Sequence, residues 1–381
     1  MKIGIVGNYG NNNNGDEAIL SGILQQLLHN FPIQIEDITV FSNNPQQTVN
    51  RYGVKSYPLY YKKGRNINTF IHTYKKNRNY IKSLDLLVIG GGGILMDFYK
   101  REAQLFGTYA LMAKNMSVPY VVYGCGAGPI HTSMGKWSLR FMCRFADSIS
   151  VRDPQSKQLL ESIGVKRPIT IIGDPAFTLK PTSTSKTYNS TPTKIGVSAV
   201  PFFNSNYWPQ GSESKYKAYI NAMAKNLDKL AEAHDVEFTF FATKFPQDVD
   251  ATKHIKNSMK YKEHVQIIDK NLMPQEILEI TNLQDVVIGT RLHSLILATA
   301  TATPIIAVSY HKKVNDFMHL AGLGEYCFSM DSIEHSELMF KDSFSKMKKD
   351  WDGTVENTKK LSTHFNEEAR KGASQFTKAV R

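Results

Sequence analysis

Met1-Lys2-Ile3-Gly4-Ile5-Val6-Gly7-Asn8-Tyr9-Gly10-Asn11-Asn12-Asn13-Asn14-Gly15-Asp16-Glu17 opens the chain. A short apolar run ends on a glycine, passes through a polar loop, and enters an apolar-periodic stretch that predicts a helix over 16–29. That is the first strand, loop and helix of a βα unit. The loop glycines allow close backbone approach, and its asparagines tolerate left-handed geometry. A helix N-terminus reached in this way is a site for an anion or a hydroxyl. The loop is not a Walker A sequence, because no Gly-Lys-Ser/Thr follows, and its spacing is not GxGxxG. Gly10, Gly15, Asp16 and Glu17 are its candidate ligand contacts. Asp16 has two readings: a helix N-cap, or, beside Glu17, a base on a substrate hydroxyl.

The same alternation continues outward. Further strands are predicted over 35–41, 84–89, 120–124, 148–151 and 170–172, then over 194–199, 237–242, 265–267, 286–289 and 305–308. Helices are predicted over 107–114 and 138–145 in the first half, and over 214–233, 273–282, 294–300 and 314–320 in the second. Short apolar runs separated by amphipathic stretches make an α/β protein with mainly parallel sheets. At 381 residues the chain exceeds one ordinary core. It divides into a basic N-terminal domain over 1–180, a Ser/Thr/Pro-rich linker over 181–193, a second domain over 194–352, and a C-terminal helix over 353–381 that is expected to cross back to the first. Ligands bind outside the strand C-termini of such sheets, so the chemistry is expected in loops facing a cleft between the two domains.

Composition narrows the class. Three scattered cysteines, Cys125, Cys143 and Cys327, form no CxxC pair and fit a reducing compartment. No secretory leader is visible, and the most apolar run, over 295–308, is broken by Thr299, Thr301, Thr303 and Pro304. The cytoplasm is the expected location. The net charge of +12 is concentrated in residues 1–180, which hold 21 Lys/Arg against 11 Asp/Glu. No acidic residue lies between Asp37 and Asp85, where Arg51, Lys62, Lys63, Arg65, Lys75, Lys76, Arg78 and Lys82 alternate with tyrosines. This segment is either a solvated basic face or one that attracts anions, such as a phosphorylated substrate or the inner face of the plasma membrane. No zinc-finger, RNP or helix-turn-helix pattern points to nucleic acid, and no HExxH or CxxC spacing points to a metal.

Four later segments carry candidate chemistry. Gly90-Gly91-Gly92-Gly93-Ile94-Leu95-Met96-Asp97 is expected as a loop whose bare backbone meets a ligand, or as a tight packed turn; Gly91, Gly92 and Gly93 are its candidate contacts. Gly124-Cys125-Gly126-Ala127-Gly128-Pro129 repeats this pattern, with Gly126 as the contact and Cys125 as a small buried residue. Arg152 follows the strand over 148–151 and either binds a carboxylate or phosphate, or pairs internally with Asp153 or Asp174. Gly289-Thr290-Arg291-Leu292-His293-Ser294 places an anion-binding arginine and a proton-transferring histidine two residues apart at a helix start. His311 and Lys312, after Ser309-Tyr310, either bind phosphate or are exposed loop residues.

The order of Gly10–Glu17, Gly90–Asp97, Gly124–Pro129, Ser150-Val151-Arg152-Asp153, Gly173-Asp174-Pro175-Ala176-Phe177, Arg291-Leu292-His293 and Ser309–Val314 resembles the polysaccharide pyruvyltransferase family over residues 1 to about 330. The resemblance implies two Rossmann-like domains facing a cleft, as in GT-B glycosyltransferases. It implies transfer of a pyruvyl group from phosphoenolpyruvate to a sugar of a cell-surface polysaccharide or its lipid-linked precursor, as a cyclic ketal. Phosphoenolpyruvate is then a co-substrate, with neither a metal nor another cofactor required. Arg152 and Arg291 are implied as donor binders, with His311 and Lys312 in a neighbouring donor loop. His293 is implied as the catalytic acid/base, and Asp16 as a residue of the acceptor loop. Where many members carry Asp-Pro after the Ser-Tyr pair, this chain has His311-Lys312. Two rival readings remain: a GT-B nucleotide-sugar glycosyltransferase, which usually has an acidic residue on the ribose and for which Glu279 and Asp285 are conceivable but carry no motif, and a non-enzymatic scaffold or carbohydrate-binding subunit.

Overall fold

Among the described residues of the computed structural model, all pairs of neighbouring strands are parallel. The model describes residues 1–379 apart from 65, 99–100, 184–185 and 209, so Arg65 and two residues of the expected linker lie outside the described residues. The backbone groups into two units. The first comprises residues 1–11, 16–179 and 365–381; the second comprises residues 12–15 and 180–364. The first glycine-asparagine loop therefore contributes to both units.

The first unit holds β1 (Ile3–Val6), β2 (Ile38–Ser42), β3 (Lys55–Pro58), β4 (Leu86–Leu95), β5 (Tyr120–Ala127), β6 (Ser148–Val151) and β7 (Thr170–Ile171). They are arranged in the order β3-β2-β1-β4-β5-β6-β7. The order reverses between β1 and β4, a switch point where loops diverge and leave a crevice at the strand C-termini. Right-handed crossovers place Asn66–Lys82, Glu102–Asn115 and Ser133–Phe145 side by side on one face, because each leads to a strand further along the same direction. The inner strands are buried on both faces, so their residues are apolar or small, with Thr39, Ser42, Ser148 and Ser150 the buried polar ones in β2 and β6.

Two expected loops prove to be strand. β4 continues through Gly90 to Gly93, and β5 continues through Gly124 and Gly126. The ladder between β4 and β5 persists with a register shift between Gly92 and Leu95. The glycines serve packing as well as backbone conformation, φ being positive at both Gly91 and Gly92. A Cβ on Gly91, whose φ is +80°, would lie 2.2 Å from Ile19 Cγ2 of the first helix. Bare backbone lets that helix sit directly on the strand. Asp16 is a second correction: the helix begins two residues earlier, at Asn14, so Asp16 is a first-turn residue and not the N-cap.

In the basic segment, Tyr57, Tyr60, Phe70 and Tyr74 pack against the first core, so its aromatic residues are largely structural. The segment contains the edge strand β3 and the helix Asn66–Lys82, neither of which its polar sequence predicted.

The second unit holds β8 (Lys194–Ser198), β9 (Glu237–Phe240), β10 (Val265–Ile267), β11 (Val286–Gly289), β12 (Ile305–Ser309) and β13 (Cys327–Ser329). Their order is β10-β9-β8-β11-β12-β13, with the switch point between β8 and β11. The helix Trp351–Arg370 begins in the second unit and ends in the first, where Phe365 stacks on Phe177 with ring centroids 4.8 Å apart.

Lys186, at the start of the second unit, donates to the carbonyl oxygen of Gln284 at 2.8 Å and to the Thr303 hydroxyl. Burial lowers its pKa to about 7, although Asp285 pulls the other way. A lysine depressed in the folded state contributes stability that is present above its ordinary value of 10.5 and lost as pH falls through about 7. The wild type is therefore expected to gain stability from pH 7 towards pH 10, with a slope approaching about 1.4 kcal/mol per unit from this group. Denaturant titrations should show a flatter pH dependence in Lys186→Met.

Candidate active site

Thr290 fixes the switch point of the second unit. Its amide donates to the Ser198 carbonyl at 2.9 Å, and its hydroxyl accepts from the Val200 amide at 2.7 Å. The end of β11 is thereby tied to the end of β8. Arg291 is next and serves as N-cap of the helix Leu292–Ala300 without a side-chain cap bond. Ser294 closes the turn, its hydroxyl donating to the Arg291 carbonyl at 2.6 Å. The arginine side chain is thus free of capping duty and reaches a different partner.

That partner is Asp248, on the helix Gln247–Ser258. Arg291 Nη2 lies 2.6 Å from Asp248 Oδ1, and Nε donates to Oδ2 at 3.1 Å. Asp248 has a fully buried side chain and also accepts from the Lys244 amide at 2.8 Å. Burial alone would lower the Arg291 pKa; Asp248, aided by Tyr310, more than offsets this and raises it. The guanidinium is therefore a permanent cation locked in one orientation, with 20% of its side chain still exposed. Asp248 has no distinguishing sequence signal, lying 43 residues before Arg291 on a helix that periodicity did not reveal.

His293 is the second residue of the same helix, one position beyond Leu292. The helix N-terminus adds a partial positive charge and unsatisfied N–H groups beside it. Gly15, which belongs to the second unit, lies against the imidazole: a Cβ there would sit 2.4 Å from His293 Nδ1. The backbone of this short segment is pinned within the unit, Asn14 N–H donating to the Thr243 carbonyl at 2.8 Å and Phe245 N–H to that of Asn12 at 3.1 Å. Gly15 thus acts as a close-fitting wall for the histidine ring. His311 and Lys312 are both exposed. His311 caps the helix Lys312–Leu320 by accepting from the Lys313 amide at 3.2 Å, and Lys312 pairs with Asp316 at 3.0 Å.

In the first unit, Asp16 accepts from the Asn8 side chain at 3.0 Å, and a Cβ on Gly92 would lie 2.8 Å from its Oδ1. Its carboxylate therefore faces bare strand backbone at the switch point. Glu17 has a different job. It accepts from the Gly10 amide at 2.7 Å and from the Tyr52 hydroxyl at 2.6 Å, and burial raises its pKa. It clamps the loop to the helix Pro45–Tyr52. Arg152 makes the internal pair that its sequence left open: Nη1 lies 2.9 Å from Asp174 Oδ2, and Nε 3.8 Å from Asp153. The guanidinium rests on Gly126, where a Cβ would come within 3.0 Å of Nε. Cys125 is wholly buried, and burial pushes its thiol up to about 12, so it remains protonated and inert.

Residues 13–312 match the family model described as polysaccharide pyruvyl transferase. The chain belongs to the polysaccharide pyruvyl transferase family. As a member of that family it is a transferase with a role in polysaccharide biosynthesis, and a glycan is its acceptor. A curated relative is the amylovoran biosynthesis protein AmsJ of Erwinia amylovora, 22% identical, with 90% of this chain and 91% of that protein aligned. Among solved structures, HepE of Anabaena, in complex with UDP and glucose, has a TM-score of 0.62 at 13% identity, covering 99% of this chain and 98% of its own. MurG of Acinetobacter baumannii has a TM-score of 0.54 at 11% identity, with 99% and 98% covered. These likenesses establish a GT-B-like fold.

The two acidic residues conceivable as ribose contacts for a nucleotide-sugar donor make backbone hydrogen bonds within the second unit. Asp285 accepts from the amides of Thr193 and Lys194 at 2.8 and 2.9 Å, and Glu279 accepts from the Thr182 amide at 2.5 Å. Gly15→Ala is expected to push the His293 ring from its seat and lower transferase activity about tenfold or more, since misplacing a reacting group by about 1 Å has that effect. Steady-state rates with an unchanged unfolding midpoint would check it.

Proposed function

We propose that this transferase moves the pyruvyl group of phosphoenolpyruvate onto a glycan and closes a cyclic ketal across two of its hydroxyls. The observation that carries this reading is the locked Arg291 guanidinium two residues from His293, at a helix N-terminus on a sheet switch point. A small, highly anionic donor matches that combination of permanent charge, helix dipole and titratable imidazole. Arg291 binds donor phosphate in this account, and Arg152 is a second guanidinium for donor carboxylate. Asp16 accepts a proton from a glycan hydroxyl.

The chemistry balances without an external reductant or oxidant. A proton delivered to the methylene carbon of phosphoenolpyruvate turns it into a methyl group and leaves oxocarbenium character at the adjacent carbon. The first glycan hydroxyl adds there and gives up its proton. Phosphate then leaves with the electrons of its carbon–oxygen bond, and the second hydroxyl takes its place, losing a proton in turn. His293 supplies and collects protons. Arg291 stabilises the charge that accumulates on departing phosphate. No metal or further cofactor is called for. The exposed His311 and Lys312 would guide the anionic donor rather than fix it. An acceptor carried on a lipid would be met at an anionic membrane surface in the cytoplasm.

The test is donor choice. Purified protein with a glycan acceptor should release inorganic phosphate from phosphoenolpyruvate, and release should depend on the acceptor. Release of nucleotide from a nucleotide sugar, with phosphoenolpyruvate untouched, would instead make it a glycosyltransferase.

A further inference from the structure

The helix Ser133–Phe145 of the first unit carries an apolar stripe that extends beyond its core-facing residues into solvent. Gly135, Ser138, Leu139, Met142 and Cys143 face inward and are buried. On the adjoining side Met134 is 60% exposed, Trp137 57% and Phe145 36%, and the half-buried Phe141, which also packs against the core, links Trp137 to Phe145 at helical spacing. The rings form a continuous ladder: Trp137 stacks on Phe141 with centroids 5.7 Å apart, and Phe141 meets Phe145 at 5.1 Å. Lys114 Nζ sits 3.6 Å from the Phe145 ring centroid, and the Arg144 guanidinium 5.5 Å from it. A contiguous exposed patch of methionine, tryptophan and phenylalanine marks an interaction surface.

Charge identifies the occupant. The helix has no acidic residue, and Lys136, Arg140 and Arg144 flank its apolar stripe. Glu102–Asn115 packs against it, and Asn66–Lys82 packs on the far side of that helix. These two helices add Lys114, Lys75, Lys76, Arg78 and Lys82, against Glu102 alone, together with the exposed Ile67 and Ile71. A basic face with a protruding aromatic stripe suits a bilayer whose anionic headgroups meet the cations while indole and phenyl rings enter the headgroup–acyl boundary. No helix among the described residues is long and apolar enough to cross a membrane, so the contact is one of surface binding.

We propose that the helix Ser133–Phe145 is an interfacial membrane-docking helix, with Trp137 as its inserted anchor and the neighbouring basic helices as its electrostatic collar. The proposal deepens the reading of a lipid-linked acceptor and rests on it only for biological purpose, because vesicle binding is measured without any transfer reaction. The full chain is mixed with vesicles of phosphatidylcholine alone or with phosphatidylglycerol added, and binding is read by co-sedimentation and tryptophan emission. Binding is expected only with phosphatidylglycerol present, with a blue shift that disappears in Trp137→Ala. Partitioning should fall about tenfold or more in that variant and in Arg140→Glu/Arg144→Glu, and binding should weaken with salt. Transfer from phosphoenolpyruvate to a soluble glycan should be unchanged in both variants, so failure of docking and failure of the proposed chemistry are separable. Equal pelleting with neutral vesicles, unchanged binding in both variants, or a wild-type dimer that Trp137→Ala dissociates would overturn the proposal.

Discussion

Arg291→Ala is expected to abolish transfer and to lower stability by about 3–5 kcal/mol, the largest combined effect of any single substitution considered. The stability loss comes from Asp248. Its side chain is fully buried, and removal of the guanidinium leaves a carboxylate whose partners among the described residues are the Lys244 amide and the Thr243 hydroxyl. An uncompensated buried charge is costly because water cannot replace the lost cation. Arg291→Lys keeps the charge but cannot form the two-pronged contact made through Nε and Nη2. It should recover part of the stability and little of the rate. Chemical denaturation and initial-rate measurements on both variants separate the two effects. An Arg291→Ala protein as stable as wild type would show that the pair with Asp248 does not hold this part of the second unit together.

His293→Ala should behave differently. The residue is half-buried near the helix start and is not a core side chain, so the unfolding midpoint should change little. Turnover is expected to fall by a factor of about 10² to 10⁴, the usual contribution of a positioned acid or base. Donor affinity should stay within about threefold of wild type, because the anion is held by arginine and by the helix N-terminus. Rapid-quench measurements with direct donor-binding titrations distinguish these quantities. Undiminished turnover in a folded His293→Ala protein would remove the imidazole from the reaction.

The arrangement of Arg291 and His293 was legible because the local sequence is self-sufficient. A four-residue apolar strand, a small Thr290 and an arginine two residues before a histidine define a strand end and a helix start with little room for alternatives. The strand over 286–289 was likewise set by an uninterrupted apolar run, and those over 148–151 and 265–267 by alternation of β-branched and polar residues. Gly90 to Gly93 misled for a physical reason. Glycine weakens an isolated strand, yet here the ladder with β5 and the helix resting on the bare backbone stabilise the extended form. Those are tertiary effects that no local reading contains. The edge strands β3 and β13 were missed because each is short and faces solvent on one side, so it lacks a continuous apolar signature. Asp248 was invisible for a third reason: its meaning depends on Arg291, 43 positions away, and an aspartate in a helix's first turn ordinarily needs no further explanation.

The site residues of the first unit divide on the same principle. In sequence Glu17 is a candidate ligand contact beside Asp16, but its two hydrogen bonds to Gly10 and Tyr52 make it a brace. Asp16 remains the more exposed of the two to a ligand, with the flat backbone of Gly92 opposite its carboxylate. Arg152 is held by Asp174 in the manner that Arg291 is held by Asp248. In both units an aspartate fixes the direction of a guanidinium, which costs some net charge and gains orientation.

The most direct measurement is to follow phosphoenolpyruvate labelled with carbon-13 at its central carbon, in the presence of enzyme and glycan, by nuclear magnetic resonance. The account predicts that the label moves into a quaternary ketal carbon bonded to two sugar oxygens, with phosphate released in equal amount. A label that stays in phosphoenolpyruvate while the same preparation transfers sugar from a nucleotide donor would contradict it.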